Sequence, residues 1–221
     1  MLLIAIDTSG RNGSVALCRG DGNRFETLQL ATLGGGTYSA RLMPVIAELL
    51  EQNGFEKNDL DGFVVVSGPG SFTGLRVGLA TVKGLCEVLG KPLATVSMLE
   101  AIAITHGPAE VTAVLDAGRD EAYVGKYRVA NGVAALQREF IVKLSEFAAE
   151  ASGATLTPDK SVADGLQAAG VRVSLVDRVD ADGVGRIGLR KLLAGDVADA
   201  ASVDVNYIRR SDAELFAKSK V

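Results

Sequence analysis

A short pattern that occurs twice in the sequence restricts the possible folds more than any other feature. IAIDTSGRNGSV, in the first half, can be aligned with AVLDAGRDEAYV, in the second, so that Asp7 matches Asp116 and Val15 matches Val124. In each copy an apolar strand ends in Asp, a polar turn with Gly and Arg follows, and another strand begins. The pattern predicts an internal duplication with a hairpin at the start of each half. Chance similarity is the alternative, because short hairpins resemble one another.

Apolar periodicity predicts that strands and helices alternate through the first half. Apolar residues at every second position indicate a three-stranded meander, and recurrence at every third and fourth position indicates helices. The predicted elements are strands at 2–6, 14–18 and 25–30, a helix between Ser39, as N-cap, and Gly54, a strand at 62–66, a helix at 72–89 and a strand at 93–96. Strands that alternate with helices after a meander are typical of an α/β sheet.

A break at Gly107-Pro108 is the predicted domain boundary. The first domain then covers 1–106 and a smaller second domain covers 107–202, with the segment from about 203 to 221 returning to the first. Past Leu144 the pattern is weaker. It predicts helices at 145–151, 162–169 and 182–194 and a strand at 171–176.

Composition narrows the classes of function. The 221 residues are 48% hydrophobic and 23% charged, which is ordinary for a globular protein with a large core. No segment approaches the roughly 20 apolar residues of a membrane span, and a soluble cytoplasmic protein is expected. A net charge of −4 without a run of Lys or Arg indicates that any RNA is held largely by a partner. Cys18 and Cys86 lie in apolar patterns and are expected to be buried thiols, and His106, the single histidine, excludes a two-histidine metal site.

The glycine-rich segment VSGPGSFTGLRVG (66–78) separates an apolar run from an amphipathic one, where a phosphate-binding loop would also lie. Gly68, Gly70 and Gly74 give the spacing GxGxxxG rather than GxGxxG. A P-loop would also need Lys followed by Ser or Thr, which the segment lacks. The spacing therefore argues against nucleotide binding by this loop.

The helix that follows carries two stripes instead of one. Its apolar stripe consists of Phe72, Leu75, Leu79, Val82, Cys86 and Leu89, and a second stripe, which starts with small residues, consists of Gly74, Gly78, Thr81, Leu85 and Val88. Glycine inside a helix costs about 1 kcal/mol relative to alanine, so close approach of another backbone is the expected compensation. That backbone belongs either to the chain's own sheet or neighbouring helix, or to a second protein.

Asp7-Thr8-Ser9 is the other candidate site, because carboxylate and hydroxyl oxygens at the end of a strand suit Mg²⁺ and phosphate. The alternative is an Asx turn that only shapes the hairpin, and local sequence favours it. Serine-nucleophile catalysis has little support, since the chain has no G-x-S-x-G motif and only His106 as a general base.

The sequence resembles the TsaB (YeaZ) family, partner proteins in the synthesis of N6-threonylcarbamoyladenosine on tRNA. The resemblance lies in LLIAIDTSGRNGSVAL, SARLMPVIAELL, VVVSGPGSFTGLRVGLATVKGL, LDAGRDEAYVGKY and VNYIRR, and it covers residues 1–128 well. It implies an α/β protein with a duplicated actin-like (ASKHA, ribonuclease H-like) fold, in which each of two lobes has a mixed sheet and flanking helices.

The resemblance also implies partners: the catalytic paralogue TsaD, which binds metal and nucleotide, and the ATPase TsaE. The helices over 39–52 and 72–89 would form the TsaD surface, and an isolated chain would self-pair through the same patch. The implied interface residues are Leu42, Val45, Ile46, Leu49, Phe72, Gly74, Leu75, Gly78, Leu79, Thr81, Val82 and Leu85.

These expectations give a non-catalytic subunit that activates TsaD for transfer of the threonylcarbamoyl group to adenosine 37 of ANN-decoding tRNAs. It would have no cofactor or metal of its own, and would meet tRNA only through the complex. The alternative is an ATP-dependent phosphotransferase with Asp7 and Thr8 at the phosphate end and Asp116 in the opposing hairpin. A peptidase that acts on its partner is a remote third.

Overall fold

The computed structural model describes residues 1–34, 36–151, 153–206 and 208. In chain order the elements are β1 (Leu2–Asp7), β2 (Asn12–Gly20), β3 (Phe25–Gly34), α1 (Tyr38–Gln52), β4 (Gly62–Gly68), α2 (Phe72–Leu89), β5 (Leu93–Ser97), α3 (Met98–Ile104), β6 (Ala109–Gly118), β7 (Glu121–Ala130), β8 (Val133–Lys143), α4 (Leu144–Glu150), β9 (Ala154–Thr157), α5 (Lys160–Ala168), β10 (Val173–Leu175) and α6 (Ala181–Leu193). A 3₁₀ turn, Lys57–Asp59, precedes β4.

The chain divides into two units. Unit 1 contains Met1–Ala101 and Val179–Val205, and unit 2 contains Ile102–Arg178 and Asn206. The predicted boundaries differ from these: the division falls after Ala101 rather than after His106, and the return to unit 1 begins at Val179 rather than near Val203. The early return has a physical cause, because α6 packs against the strands of unit 1. Of the predicted returning segment 203–221, residues 207 and 209–221 lie outside the described residues.

The two units have the same sheet topology. The order in unit 1 is β3-β2-β1-β4-β5, and the order in unit 2, taken from the equivalent edge, is β8-β7-β6-β9-β10. In each sheet the first two pairs of neighbouring strands are antiparallel and the last two pairs are parallel, so the central strand has one neighbour of each kind. The predicted duplication of an α/β fold with two mixed sheets is therefore confirmed.

The alignment of the two hairpins needs one correction. Asp7 pairs with Ser14, and Asp116 pairs with Ala122, so the segment between the aspartate and its partner is one residue shorter in the second hairpin. Ile6 pairs with Val15, whereas its counterpart Leu115 pairs with Tyr123. The structural counterpart of Val15 is thus Tyr123 and not Val124, because an ungapped alignment cannot allow for the shorter turn.

Helix α6 covers the sheet of unit 1, and three features fix its position. The Ala181 N–H donates to Ser14 Oγ at 2.9 Å at its start. A Cβ at Gly188 would overlap the Val64 side chain, which shows that the helix backbone lies directly on β4. Lys191 Nζ donates to Glu100 Oε2 at 2.8 Å and to the Thr95 carbonyl at 3.1 Å. The segment after residue 178 is therefore part of the unit 1 core.

In unit 2, α4 and α5 pack on one face of the sheet. The core there consists of Val114, Ala122, Val124, Phe147, Val162, Ala163, Leu166 and Val173. The weak pattern after Leu144 predicted α4, α5, β10 and α6 within a few residues. Strands β8 and β9 had not been predicted. Among the described residues, no helix is both long enough and apolar enough to cross a membrane.

Candidate functional site

The Asp7 turn lies at the carboxyl end of β1 and is buried. Asp7 Oδ1 accepts the Ser9 N–H at 2.7 Å and the Ser9 hydroxyl at 2.5 Å. Asp7, Thr8 and Ser9 all lie out of contact with solvent. This is the geometry of an Asx turn, in which the carboxylate organises its own loop. Of the two interpretations left open by the sequence, the structural one fits these contacts.

The glycine-rich loop covers that turn directly. The Ser71 N–H donates to the Ser9 carbonyl at 2.7 Å, and Ser71 Oγ accepts the Gly74 N–H at 3.3 Å as the N-cap of α2. A Cβ at Gly70 would overlap Ser9. The loop therefore covers the end of β1 and fixes the start of α2 beside it.

Gly74 and Gly78 contact the same turn. A Cβ at Gly74 would overlap the Thr8 carbonyl oxygen, and one at Gly78 would overlap Thr8 Oγ1. The close approach that these glycines permit is thus made by the chain's own Thr8, through its carbonyl at Gly74 and its side chain at Gly78, and not by the second protein expected at these two positions. Thr8 Oγ1 is buried and has no hydrogen-bond partner among the described residues.

Tyr38, which sequence analysis did not single out, joins three elements of unit 1. Its hydroxyl donates to the Gly10 carbonyl at 2.8 Å. Its ring occupies the space beside Gly13 and Gly74, where a Cβ would lie 2.9 Å and 3.2 Å from ring carbons. The ring therefore fixes the start of α1 against the first hairpin and α2. In the sequence, Gly13 and Gly74 were the only indication that a bulky side chain packs here. Nothing local shows that both glycines contact the Tyr38 ring, because the fold brings them together.

Most of the residues expected at the partner interface belong to the core of unit 1. The buried ones are Leu42, Val45, Ile46, Leu49, Gly74, Leu75, Gly78, Leu79 and Val82. Side chains that the chain already covers cannot supply the contact area of a second protein. Their three- and four-residue spacing reflects packing within the chain, which a sequence pattern does not distinguish from packing against a partner.

A different stripe of α2 is open to solvent. Val77, Thr81 and Leu85 are half-buried, Gly84 is exposed, and Val88 is 79% exposed. A Cβ at Gly84 would have nothing within 4 Å. We call these five residues the outer face of α2; they lie on one side of successive helical turns and none is charged. Phe72, at the start of the helix, is also exposed, with the Arg76 guanidinium 3.9 Å from its ring centroid.

Asp116 lies in unit 2, near the end of β6. Its Oδ1 accepts the Gly118 N–H at 2.7 Å, and its own N–H donates to Asp159 Oδ2 at 2.7 Å. Both bonds shape the exposed end of the second hairpin. Within the described ranges, no group of three His, Cys, Asp or Glu side chains is arranged to hold a metal ion.

Both thiols are buried, as predicted. Burial raises the pKa of Cys18 to about 12, with a smaller contribution from the negative charge of Asp182. Burial alone raises the pKa of Cys86 to about 11. The nucleophilic thiolate is thus scarce at neutral pH, and these positions are structural.

The fold is a duplicated two-lobe α/β fold with one mixed five-stranded sheet in each lobe. Residues 35–176, more than half of the chain, match the family model described as TsaD, tRNA N6-adenosine threonylcarbamoyltransferase. Among curated relatives, the tRNA threonylcarbamoyladenosine biosynthesis protein TsaB of Bacillus subtilis is 36% identical over 60% of this chain and 58% of its own length. The TsaB protein of Haemophilus influenzae is 35% identical over 56% of this chain and 52% of its own.

The structure comparison agrees. A crystal structure of a Pseudomonas aeruginosa protein with similarity to peptidase YEAZ superposes with a TM-score of 0.77 and 25% identity, over 94% of this chain and 99% of that one. The chain belongs to the TsaD-related family, on its TsaB (YeaZ) branch. It spans between half and three fifths of the length of the curated relatives that it matches.

Proposed function

We propose that this chain is a cytoplasmic accessory subunit in the synthesis of threonylcarbamoyladenosine on tRNA, and that it activates a catalytic TsaD subunit without catalysing the transfer itself. The names of its relatives support the pathway. The observation that carries the accessory role is the position of α2. One side of this helix is held by the chain's own Asp7 turn, and its uncharged outer face is left open.

The outer face has the character of a protein-binding surface. Val77, Leu85 and Val88 present apolar area, and Thr81 and Gly84 leave the helix backbone accessible to a close neighbour. An uncharged stripe of this kind on an exposed helix favours association with another apolar helix face. TsaD is the proposed occupant, TsaE joins the pair, and a second copy of this chain covers the face when TsaD is missing.

The contacts of Asp7 support a non-catalytic subunit. Its carboxylate is buried and accepts two hydrogen bonds from Ser9, while the glycine loop lies across the strand end. In a phosphotransferase this corner would have to admit a phosphate and a divalent cation. We therefore place ATP and metal on the partner subunits, and tRNA on the assembled complex. No contact among the described residues favours the peptidase.

The experiment is co-elution with TsaD on size-exclusion chromatography. Val88→Glu places a charge on the outer face and is expected to weaken the complex at least tenfold, because the carboxylate must lose its water on association. Val133→Glu, at an exposed apolar position on β8, is the matched control and should pair normally. If the two variants bound TsaD equally well, α2 would not be part of the interface.

The phosphotransferase alternative has its own measurement. Calorimetry of the isolated chain with Mg-ATP should give no heat of binding, and no ADP should appear on incubation. Tight binding of Mg-ATP together with formation of ADP would show that the chain is a catalyst and not an accessory subunit. Transfer of the threonylcarbamoyl group by the purified chain without TsaD would do the same.

A further inference from the structure

A transverse row of the unit 2 sheet combines two hydroxyls and two cations. The strand pairing aligns Val173 with Thr155, Thr155 with Thr112, Thr112 with Lys126, and Lys126 with Arg138. Directly paired residues point to the same face of a sheet. The row therefore crosses all five strands on one face.

The row borders the hydrophobic core under α4 and α5. Two residues along their strands from Thr112, Lys126 and Arg138 lie Val114, Val124 and Phe140, which belong to or pack against that core. The Arg138 guanidinium lies 4.6 Å from the Phe140 ring centroid, which places it on the same face. The row thus runs from the buried residues Val173, Thr155 and Thr112 to the half-buried Lys126 and the exposed Arg138.

The two cations face each other without a carboxylate between them. Like charges directly opposite on neighbouring strands destabilise a sheet. Lys126 has no ion pair among the described residues, and the contact given for Arg138 is with an aromatic ring. In the neighbouring row, the carboxylate oxygens of Glu110 accept Arg128 Nε at 2.6 Å and Gln137 Nε2 at 2.7 Å, so this acid is engaged elsewhere.

One of the two hydroxyls of the row, that of Thr155, makes no hydrogen bond within the described part of the chain. Thr155 is only 2% exposed. A buried hydroxyl without a partner costs free energy that a ligand would recover. Thr155 also lines a cavity of about 640 Å³, whose wall includes Ala151 and Arg172. Neither Lys126 nor Arg138 lines this cavity, and Thr155 lies two strands from Lys126, so its hydroxyl adds to the polarity of the row but lies outside the cation pair.

We propose that the basic end of this row, Lys126 and Arg138 with Thr112 beside Lys126, binds the oxygens of phosphate groups. A chain with a net charge of −4 does not attract anions through its overall field, so the unneutralised pair is a local feature. The ammonium group of Lys binds phosphate as a compact charge, and the planar guanidinium group of Arg can donate two parallel hydrogen bonds to it. The phosphate belongs either to an RNA backbone or to a free phosphorylated molecule.

The test compares two double variants of the full chain. Lys126→Gln with Arg138→Gln removes the paired cations, and Arg24→Gln with Lys57→Gln removes the same charge from exposed positions of unit 1. Binding of a 12-nucleotide oligouridylate is followed by fluorescence anisotropy, and binding of inorganic pyrophosphate by calorimetry. The first variant should lose at least fivefold in affinity for one probe or both, while the control keeps wild-type affinity.

The salt dependence gives a second readout. For single-stranded RNA each phosphate contact contributes about 0.7 to the slope of log K against log salt, so losing both cations should reduce it by about 1.4. Binding of pyrophosphate alone would identify a free phosphorylated ligand. Equal affinities of the two double variants, or no binding of either probe by the wild-type chain, would overturn the site. Co-elution with TsaD should be unchanged in both variants, which separates this result from the proposed function.

Discussion

The hydroxyl oxygen of Thr8 occupies the space that a side chain at Gly78 would need. This contact joins the end of β1 to the second turn of α2, and it is the reason that a glycine is required inside the helix. The exposed glycine three to four turns from the N-cap, Gly84, meets no such neighbour. The two positions therefore form a matched pair for mutagenesis.

Gly84→Ala should raise the free energy of unfolding by up to about 1 kcal/mol, which is the difference in helix propensity. Gly78→Ala should lower it by about 1–3 kcal/mol, because the added methyl group overlaps Thr8. Urea unfolding followed by circular dichroism measures both. Addition of Thr8→Ala to Gly78→Ala should restore part of the loss. A Gly78→Ala protein as stable as Gly84→Ala would contradict the contact.

Tyr38→Phe removes the hydroxyl that bonds to the Gly10 carbonyl and keeps the ring. The expected loss of stability is about 1 kcal/mol, a typical value for one hydrogen bond. Tyr38→Ala also empties the space between α1, α2 and the hairpin, and should cost about 3–5 kcal/mol, as for other large buried aromatic residues. Equal thermal midpoints of the two variants would show that the ring contributes little.

Lys191→Met tests the attachment of α6 to unit 1. The substitution leaves the Glu100 carboxylate, largely buried, without the cation at 2.8 Å, and should cost about 1.5–3 kcal/mol. Adding Glu100→Gln should recover part of this loss, because the uncompensated charge is then removed. Lys160→Met, which breaks an exposed pair with Asp164, is the control and should change stability by less than about 1 kcal/mol.

The buried thiols predict a loss of stability in alkali. Cys18 has a pKa of about 12 in the folded chain against 9.0 for an unperturbed thiol, so burial favours the neutral form. Its contribution is complete below pH 9 and is lost as pH rises from 9 towards 12, because the unfolded chain ionises first. Cys18→Ala should make the urea midpoint fall less steeply between pH 9 and 11. At pH 8, iodoacetamide should label Cys18 and Cys86 only after denaturant is added.

The repeat and the amphipathic patterns were enough to predict the duplicated sheets, because hydrophobic periodicity records which side of a strand or helix is buried. They could not show what covers the buried side. Leu42 and Val82 were correctly identified as lying on apolar faces, but packing inside the chain and packing on a partner require the same spacing. Thr81, Leu85 and Val88 of the open stripe already belonged to the predicted second stripe, but only the assigned core separates them from the buried Gly74 and Gly78.

Contacts between distant segments were the least predictable part. The one-residue difference between the hairpin turns depends on backbone geometry, and the row from Val173 to Arg138 depends on the register of five strands. A bulge between Lys126 and Tyr127 adjusts that register at the outer strand. Nothing local in the sequence around Thr155 or Arg138 indicates that they lie in one line.

The position of α6 has a consequence for the order of events during synthesis. The Ser14 hydroxyl cannot accept the N–H of Ala181 until that residue, 167 positions later in the chain, has been synthesised. Until then the strands that begin the protein have an uncovered face, whereas residues 102–178 can already assemble a contiguous core. The unit that is started first therefore stays incomplete until residues 102–178 have been made, and a nascent chain that stalls before Val179 would expose the apolar surface that α6 normally covers.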